Sequence, residues 1–248
     1  MFNRDEFDKN KSHNAKLLAS DLVLKENALN LIYQSEKYGF AHQWTWLGLP
    51  IIQLPQDILI TQEIIWETKP TVIIETGIAW GGSVVFNASQ LSLIGEGRVI
   101  AIDKVITDEV RSEIMKYGFS DRITLIEGDS TSKEVINKIK EEIKSDDKVM
   151  VFLDSNHEED HVFQELECYS KFVTHNQYLN VYATSIEFLP KSNINLRPWG
   201  PGISPHSAVK KFLSINRDFL IDSKRDDKSL GSFIIEGRLL CNRGRKEL

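Results

Sequence analysis

The densest set of reactive groups in the chain lies in one short run: Asp154, Ser155, Asn156 and His157, with His161 four positions further on. An imidazole of ordinary pKa can remove a hydroxyl proton near neutral pH, and a neighbouring carboxylate can orient it or take the proton itself. This run therefore suits activation of a hydroxyl oxygen as a nucleophile. His157 is the expected base, Asp154 its partner, Ser155 a lining residue, and His161 shares a face with His157 if both are helical. A structural alternative stands beside this: Asp154 or Asn156 caps a helix and the histidines sit on the surface. A rival chemistry also uses the same residues. His157-Glu158-Glu159-Asp160-His161 matches H-E-x-x-H, in which two histidines hold zinc and Glu158 activates water, with Glu165 or Glu187 as third ligand. Against it, the pattern is short and begins at a strand end, not inside a long helix.

A second constellation precedes it. Thr71 to Ser83 reads TVIIETGIAWGGS: an apolar β-branched run ending on Glu75, then Gly77, Gly81 and Gly82, then Ser83 opening a helical pattern. A strand, glycine turn and helix start let a ligand approach bare backbone and oriented N–H groups. The acid at the strand end repels a pyrophosphate but accepts hydrogen bonds from an ammonium or a ribose. The spacing E-x-G-x-x-x-G-G differs from the G-x-G-x-x-G of dinucleotide binders. It reads as the nucleotide loop of an S-adenosylmethionine (SAM) methyltransferase, with an ordinary βα turn as the alternative.

The elements that must hold these groups alternate. Strands are expected at Thr71–Glu75, Val99–Asp103, Ile123–Glu127, Val149–Leu153 and Tyr178–Tyr182, with helices Ser83–Leu93, Thr107–Tyr117, Ser132–Lys144 and His157–Phe172 between them. That order predicts an α/β fold, a mostly parallel sheet with helices on both faces. Its carboxyl edge would carry Glu75, Asp103, Asp129 and Asp154. Asp103 is placed to bind ribose hydroxyls. Asp129 and Ser130 serve either the adenine edge or the cap of the following helix. Upstream, residues 1–14 are polar and expected to be poorly ordered, Ala15–Tyr38 is expected to be helical, 39–54 a loop, and Pro55–Trp66 a helix. Downstream come a long Pro- and Gly-bearing segment, Ile186–Ser204, a helix Pro205–Asn216, and strands Phe219–Ile221 and Ser232–Glu236. Arg238 to Lys246 reads as a solvated basic tail.

The 248 residues suffice for one α/β domain, and a net charge of -6 without a basic stripe argues against nucleic-acid partners. The two cysteines, Cys168 and Cys241, have no metal or framework spacing and fit a reducing, cytoplasmic setting. No apolar run reaches a membrane span, and the N-terminus lacks the apolar core of a signal peptide.

Taken together, WLGLPIIQLPQDILITQEIIW (46–66), IIETGIAWGGSVVF (73–86), FLDSNHEEDHVFQEL (152–166) and RPWGPG (197–202) followed by PHSAVKKFL resemble the cephalosporin hydroxylase / rhamnosyl O-methyltransferase family. The resemblance runs from about Trp46 to Arg238. It implies a Rossmann-like class I methyltransferase domain with a seven-stranded sheet over residues 55–248, preceded by a helical and loop extension over 1–54. It implies a SAM site built from Glu75, Gly77, Gly81, Gly82, Ser83, Asp103, Asp129 and Ser130, with Asp154 and Ser155 facing the methyl group. It also implies an acceptor side near Arg197, Trp199, Gln53 and Asp57. Family acceptors are sugar or natural-product hydroxyls, so a saccharide of glycan or natural-product biosynthesis is the expected partner, with Trp44, Trp46, Trp80 and Trp199 as candidate stacking surfaces. In metal-dependent relatives, Mg²⁺ sits between the aspartate matching Asp154 and two acids at the end of the fifth strand. Here those positions are Tyr182 and Ala183, and Asn156 stands where an aspartate is common, so weak or absent metal dependence is expected unless Glu187 contributes. A homologue that binds SAM without catalysis is the alternative these replacements raise, and the apolar N-terminal helix suggests a homo-oligomer.

Overall fold

A computed structural model describes residues 3–189 and 197–244 of the chain. Two helices come first, α1 (Arg4–Ser20) and α2 (Leu22–Glu36). From Arg4 onward the segment expected to lack order is thus helical, because the Asn3 side chain accepts from the Glu6 N–H and caps it, and residues 1–2 lie outside the described ones. The single helix expected over Ala15–Tyr38 breaks at Asp21, which ends α1 and whose carboxylate caps α2 through the Leu24 N–H. A short hairpin of β1 (Thr45–Trp46) and β2 (Leu49–Pro50) then leads to α3 (Pro55–Thr68), with Pro55 in its first turn.

The alternating core follows as expected: β3 (Val72–Thr76), α4 (Gly82–Ile94), β4 (Arg98–Asp103), α5 (Asp108–Ile114), β5 (Ile123–Glu127), α6 (Lys133–Glu142), β6 (Val149–Leu153), α7 (Glu159–Tyr169) and β7 (Tyr178–Val181). After α8 (Pro205–Ile215) come β8 (Phe219–Ile221), α9 (Ser223–Asp227) and β9 (Arg238–Cys241). The seven strands β3 to β9 are ordered β5-β4-β3-β6-β7-β9-β8, parallel from β5 to β7 and antiparallel at both β9 pairings. One buried cluster (Ile64, Ile73, Val85, Ala101, Phe152) joins α3 and α4 to one face, and another (Ile74, Val151, Ile139, Leu166, Phe212) joins α6, α7 and α8 to the other. Burial on both faces explains why these strands read as continuous apolar runs.

The last strand is a correction. The expected strand at Ser232–Glu236 is not one, and the presumed tail begins with β9, which sits inside the sheet between β7 and β8. Arg238 misleads any hydropathy reading, because it is fully buried against Asp57 and Asp226. Among the described residues no helix is long and apolar enough to cross a membrane.

Candidate active site

The sheet order places the topological switch at β3, with β4 on one side and β6 on the other, so the crevice opens beyond the carboxyl ends of these strands. The pairing of Thr76 with Leu153 sets the glycine turn beside Asp154, and the Asp154 N–H donates to the Thr76 carbonyl at 2.9 Å. Two glycines are dictated here by the chain's own packing. Gly77 has φ +80°, and an added Cβ would lie 2.1 Å from the Asp154 carbonyl oxygen; at Gly82 it would lie 2.2 Å from that of Pro50. The bare backbone thus admits the β6 edge and the β2 hairpin, and Gly77 and Gly82 also line a cavity over the turn. Asp103 secures the turn by accepting from the Ile78 and Ala79 N–H groups at 2.8 and 3.3 Å, which holds Ala79 in a left-handed conformation of φ 45°.

Two cavities meet over this edge. One of about 480 Å³ is lined by Asp103, Lys104, Asp129, Ser130 and His161, and the other, of about 590 Å³, by Tyr33, Glu36, His42, Gln53, Trp80, Asp154 and Tyr182. Gly77, Asp103, Ser155, His157, Arg197 and Trp199 line both. Most of the expected site residues therefore converge, but the two histidines separate. His157 Nε2 lies 3.4 Å from Asp154 Oδ1, and its ring meets the Trp199 indole edge-on at 5.2 Å. His161 lines only the first cavity, with Nε2 3.3 Å from Ser130 Oγ and 3.2 Å from Ser155 Oγ. His161, expected to share in catalysis, thus lies on the wall on the Asp129 side. Burial pushes the Asp154 carboxyl up, partly offset by His157, while Glu165, 3.7 Å away, raises the His161 imidazole above its ordinary value. Asp129 is held low by the hydroxyl and N–H of Thr131, both on Oδ1.

Other expected residues lie elsewhere. Glu75 is turned behind the glycine turn, accepting from Ser83 and Asn87, and lines only a small void with Gln53, Asp154 and Tyr182. Gly81 is packed over Ile114 and lines neither large cavity. Asp57 cannot reach an acceptor: it is buried and spent on Arg238, the Ser232 hydroxyl and the Phe233 N–H. Among the tryptophans, Trp46 donates to Ser89 and packs on Phe86, and Trp44 meets Phe40, while Trp80 and Trp199 line the second cavity. The N-terminal extension supplies Tyr33, Glu36 and His42, whose role carried no motif. Tyr33 Oη donates to the Ser185 carbonyl, and Glu36 accepts from the Ala41 N–H at 3.0 Å, which fixes α2 against the second cavity.

The zinc reading fails on geometry. His157 precedes α7 and faces Asp154, so the two histidines do not share a helical face. Glu165 accepts from Ser155, and Glu187 from the Gly202 N–H and the Ser204 hydroxyl. The donors around Asp154 do not fit a divalent cation either. Tyr182 is buried with its phenol pushed far up by desolvation, and Asn156 caps the Glu158 N–H. Among the described residues, no three His, Cys, Asp or Glu side chains converge as ligands.

The sequence profile described as Rhamnosyl O-methyltransferase/CmcI matches residues 38–240. Rhamnosyl O-methyltransferase from Mycobacterium leprae is 29% identical over 206 residues, covering 79% of this chain and 82% of the relative. Its counterpart from Mycobacterium bovis is 28% identical, covering 74% and 72%. Among solved structures, an apo form of CmcI superposes with a TM-score of 0.61 at 19% identity, covering 82% of this chain and 78% of that one. The O-methyltransferase TomG from Streptomyces achromogenes, in complex with SAM, superposes at 0.56 with 16% identity, covering 93% and 96%.

Proposed function

We propose, from the premise that this chain belongs to the rhamnosyl O-methyltransferase/CmcI family, that it is a SAM-dependent O-methyltransferase acting on a hydroxyl of a saccharide or related small metabolite. The observation that carries the reading is the Asp154–His157 pair at the junction of the two cavities. SAM supplies an electrophilic methyl group when bound. The acids of the first cavity suit its adenosine: Asp103 and Asp129 both line it, and among the described residues Asp129 Oδ2 accepts no hydrogen bond, both Thr131 donors being on Oδ1. The second cavity takes the acceptor, with Trp80 and Trp199 as faces for a sugar ring.

His157 removes the acceptor's hydroxyl proton. Its Nε2 is directed at Asp154, so Nδ1 is the basic nitrogen, and Asp154 stabilises the imidazolium that forms. Trp199 against the imidazole edge restricts water at the reacting oxygen. Since the donors around Asp154 do not suit a divalent cation, proton removal by His157 replaces Lewis-acid activation. The free thiols of Cys168 and Cys241 support a reducing, cytoplasmic setting.

Calorimetry with S-adenosylhomocysteine, followed by methyl transfer from labelled SAM to a panel of rhamnosides, tests this. Binding, label transfer insensitive to EDTA, and a fall of about a hundredfold in His157→Ala are expected. Absence of binding at millimolar ligand removes the reading. Binding without transfer to any saccharide favours the non-catalytic alternative raised by Tyr182 and Ala183.

A further inference from the structure

His161 sits where three elements meet: the loop after β5 through Ser130, the loop after β6 through Ser155, and the first turns of α7, which also carry Glu165. Its hydrogen bonds determine where the protons lie. The Ser155 hydroxyl donates its one hydrogen to Glu165 Oε1 at 2.8 Å, so Ser155 Oγ faces His161 as an acceptor. His161 Nε2 must therefore carry a hydrogen, which it shares between Ser155 Oγ at 3.2 Å and Ser130 Oγ at 3.3 Å. Glu165, fully buried and beside the imidazole, favours that protonated nitrogen. Ser130 then accepts from His161 and keeps its own hydrogen unspent. Its main chain is fixed as well, because the Tyr169 hydroxyl donates to the Ser130 carbonyl at 2.8 Å. Ser130 is nearly buried yet lines the first cavity, so its hydroxyl is a preset donor on the cavity wall.

We propose that His161 is a positioning residue for the cofactor's purine: its Nε2–H orients the Ser130 hydroxyl so that Ser130 donates to a ring nitrogen of adenine. This rests on the SAM reading above, and it moves His161 from methyl transfer to cofactor retention. Adenine offers unprotonated ring nitrogens as acceptors, and a donor whose rotor is already fixed loses little entropy on binding.

The test is a double-mutant cycle on the full chain, read by calorimetry with adenosine and with S-adenosylhomocysteine. Ser130→Ala and His161→Ala are each expected to weaken adenosine by about fivefold to tenfold, the worth of one hydrogen bond. The double variant is expected to bind within about twofold of either single, since orientation by His161 counts only while Ser130 has a hydroxyl. A purely structural role for His161 gives multiplied losses instead, and that result overturns the proposal. So does an adenosine affinity in His161→Ala within about twofold of wild type. If His161→Ala is too unstable to assay, His161→Leu, which also lacks a donor, replaces it in the same cycle. Failure of the wild type to bind S-adenosylhomocysteine at all is a different result, and it removes the functional reading rather than this one.

Discussion

Arg238→Met is expected to lower stability by about 3–5 kcal/mol, because it strands the buried Asp57 carboxylate and removes the partner of the half-buried Asp226. The Arg238 guanidinium is fully buried, with Nη2 2.7 Å from Asp57 Oδ1 and Nη1 2.8 Å from Asp226 Oδ1 and from the Ile234 carbonyl. It ties the first turn of α3 to α9 and to β9, elements far apart in the chain. Asp57→Ala leaves the buried guanidinium with Asp226 alone and strips the Ser232 hydroxyl and the Phe233 N–H of their acceptor, and it is expected to cost a similar amount. The double variant Asp57→Leu/Arg238→Met is expected to recover part of the loss, since the buried Asp57–Arg238 pair contributes little beyond an apolar replacement while Asp226 and the Phe233 N–H still lack a partner. Urea denaturation measures all three. An Arg238→Met variant within about 1 kcal/mol of wild type contradicts the argument. The same series decides the role of Asp57: its variants change stability while the folded protein keeps its affinity for S-adenosylhomocysteine.

Glu75→Gln is expected to stabilise the protein at pH 8 and to leave it unchanged near pH 4.5. Burial pushes the Glu75 carboxyl from 4.5 up to about 7, although Ser83 and Asn87 donate to it, and the nearby Asp154 and Asp103 add to the rise. The folded state therefore holds the Glu75 proton more tightly than the unfolded chain. Stability falls as pH rises from 4.5 through about 7, and the penalty is complete above that. At about 1.4 kcal/mol per pH unit this window amounts to about 3 kcal/mol. A glutamine removes the titration, and the Asn87 amide can turn its Oδ1, buried without a partner among the described residues, to accept from the new side chain. Melting curves from pH 4.5 to 8 test the sign. If variant and wild type run parallel across that range, Glu75 does not titrate as argued.

Much of the site was legible because its positions are local consequences of strand ends. Asp103, Asp129 and Asp154 each follow an apolar run, and a parallel sheet brings such ends to one rim whatever the remaining packing does. The family resemblance then narrowed an adenosine-binding rim to methyl transfer. Legibility failed where a residue's partner lies far away in sequence. Arg238 looked like a tail because nothing near it reveals Asp57. Asp57 looked like a ligand residue because nothing near it reveals Arg238. The helix containing His161 begins two residues later than expected, and with His157 outside it, His157 lines both cavities while His161 lines the first.

What the amino-acid sequence by itself determined, then, is the alternation of strands and helices, the acid-lined edge and the chemistry its side chains can perform. Periodicity, turn residues and the end of an apolar run are set by neighbours a few positions apart. What only the tertiary structure decided is which acids face a cavity and which are spent on the protein. Glu75 and Asp57 were withdrawn inside, Tyr33 and Glu36 were brought in from α2, and Ser130 was set against His161. The reason is that burial and pairing of polar groups depend on long-range contacts, whose partners a linear reading does not place side by side.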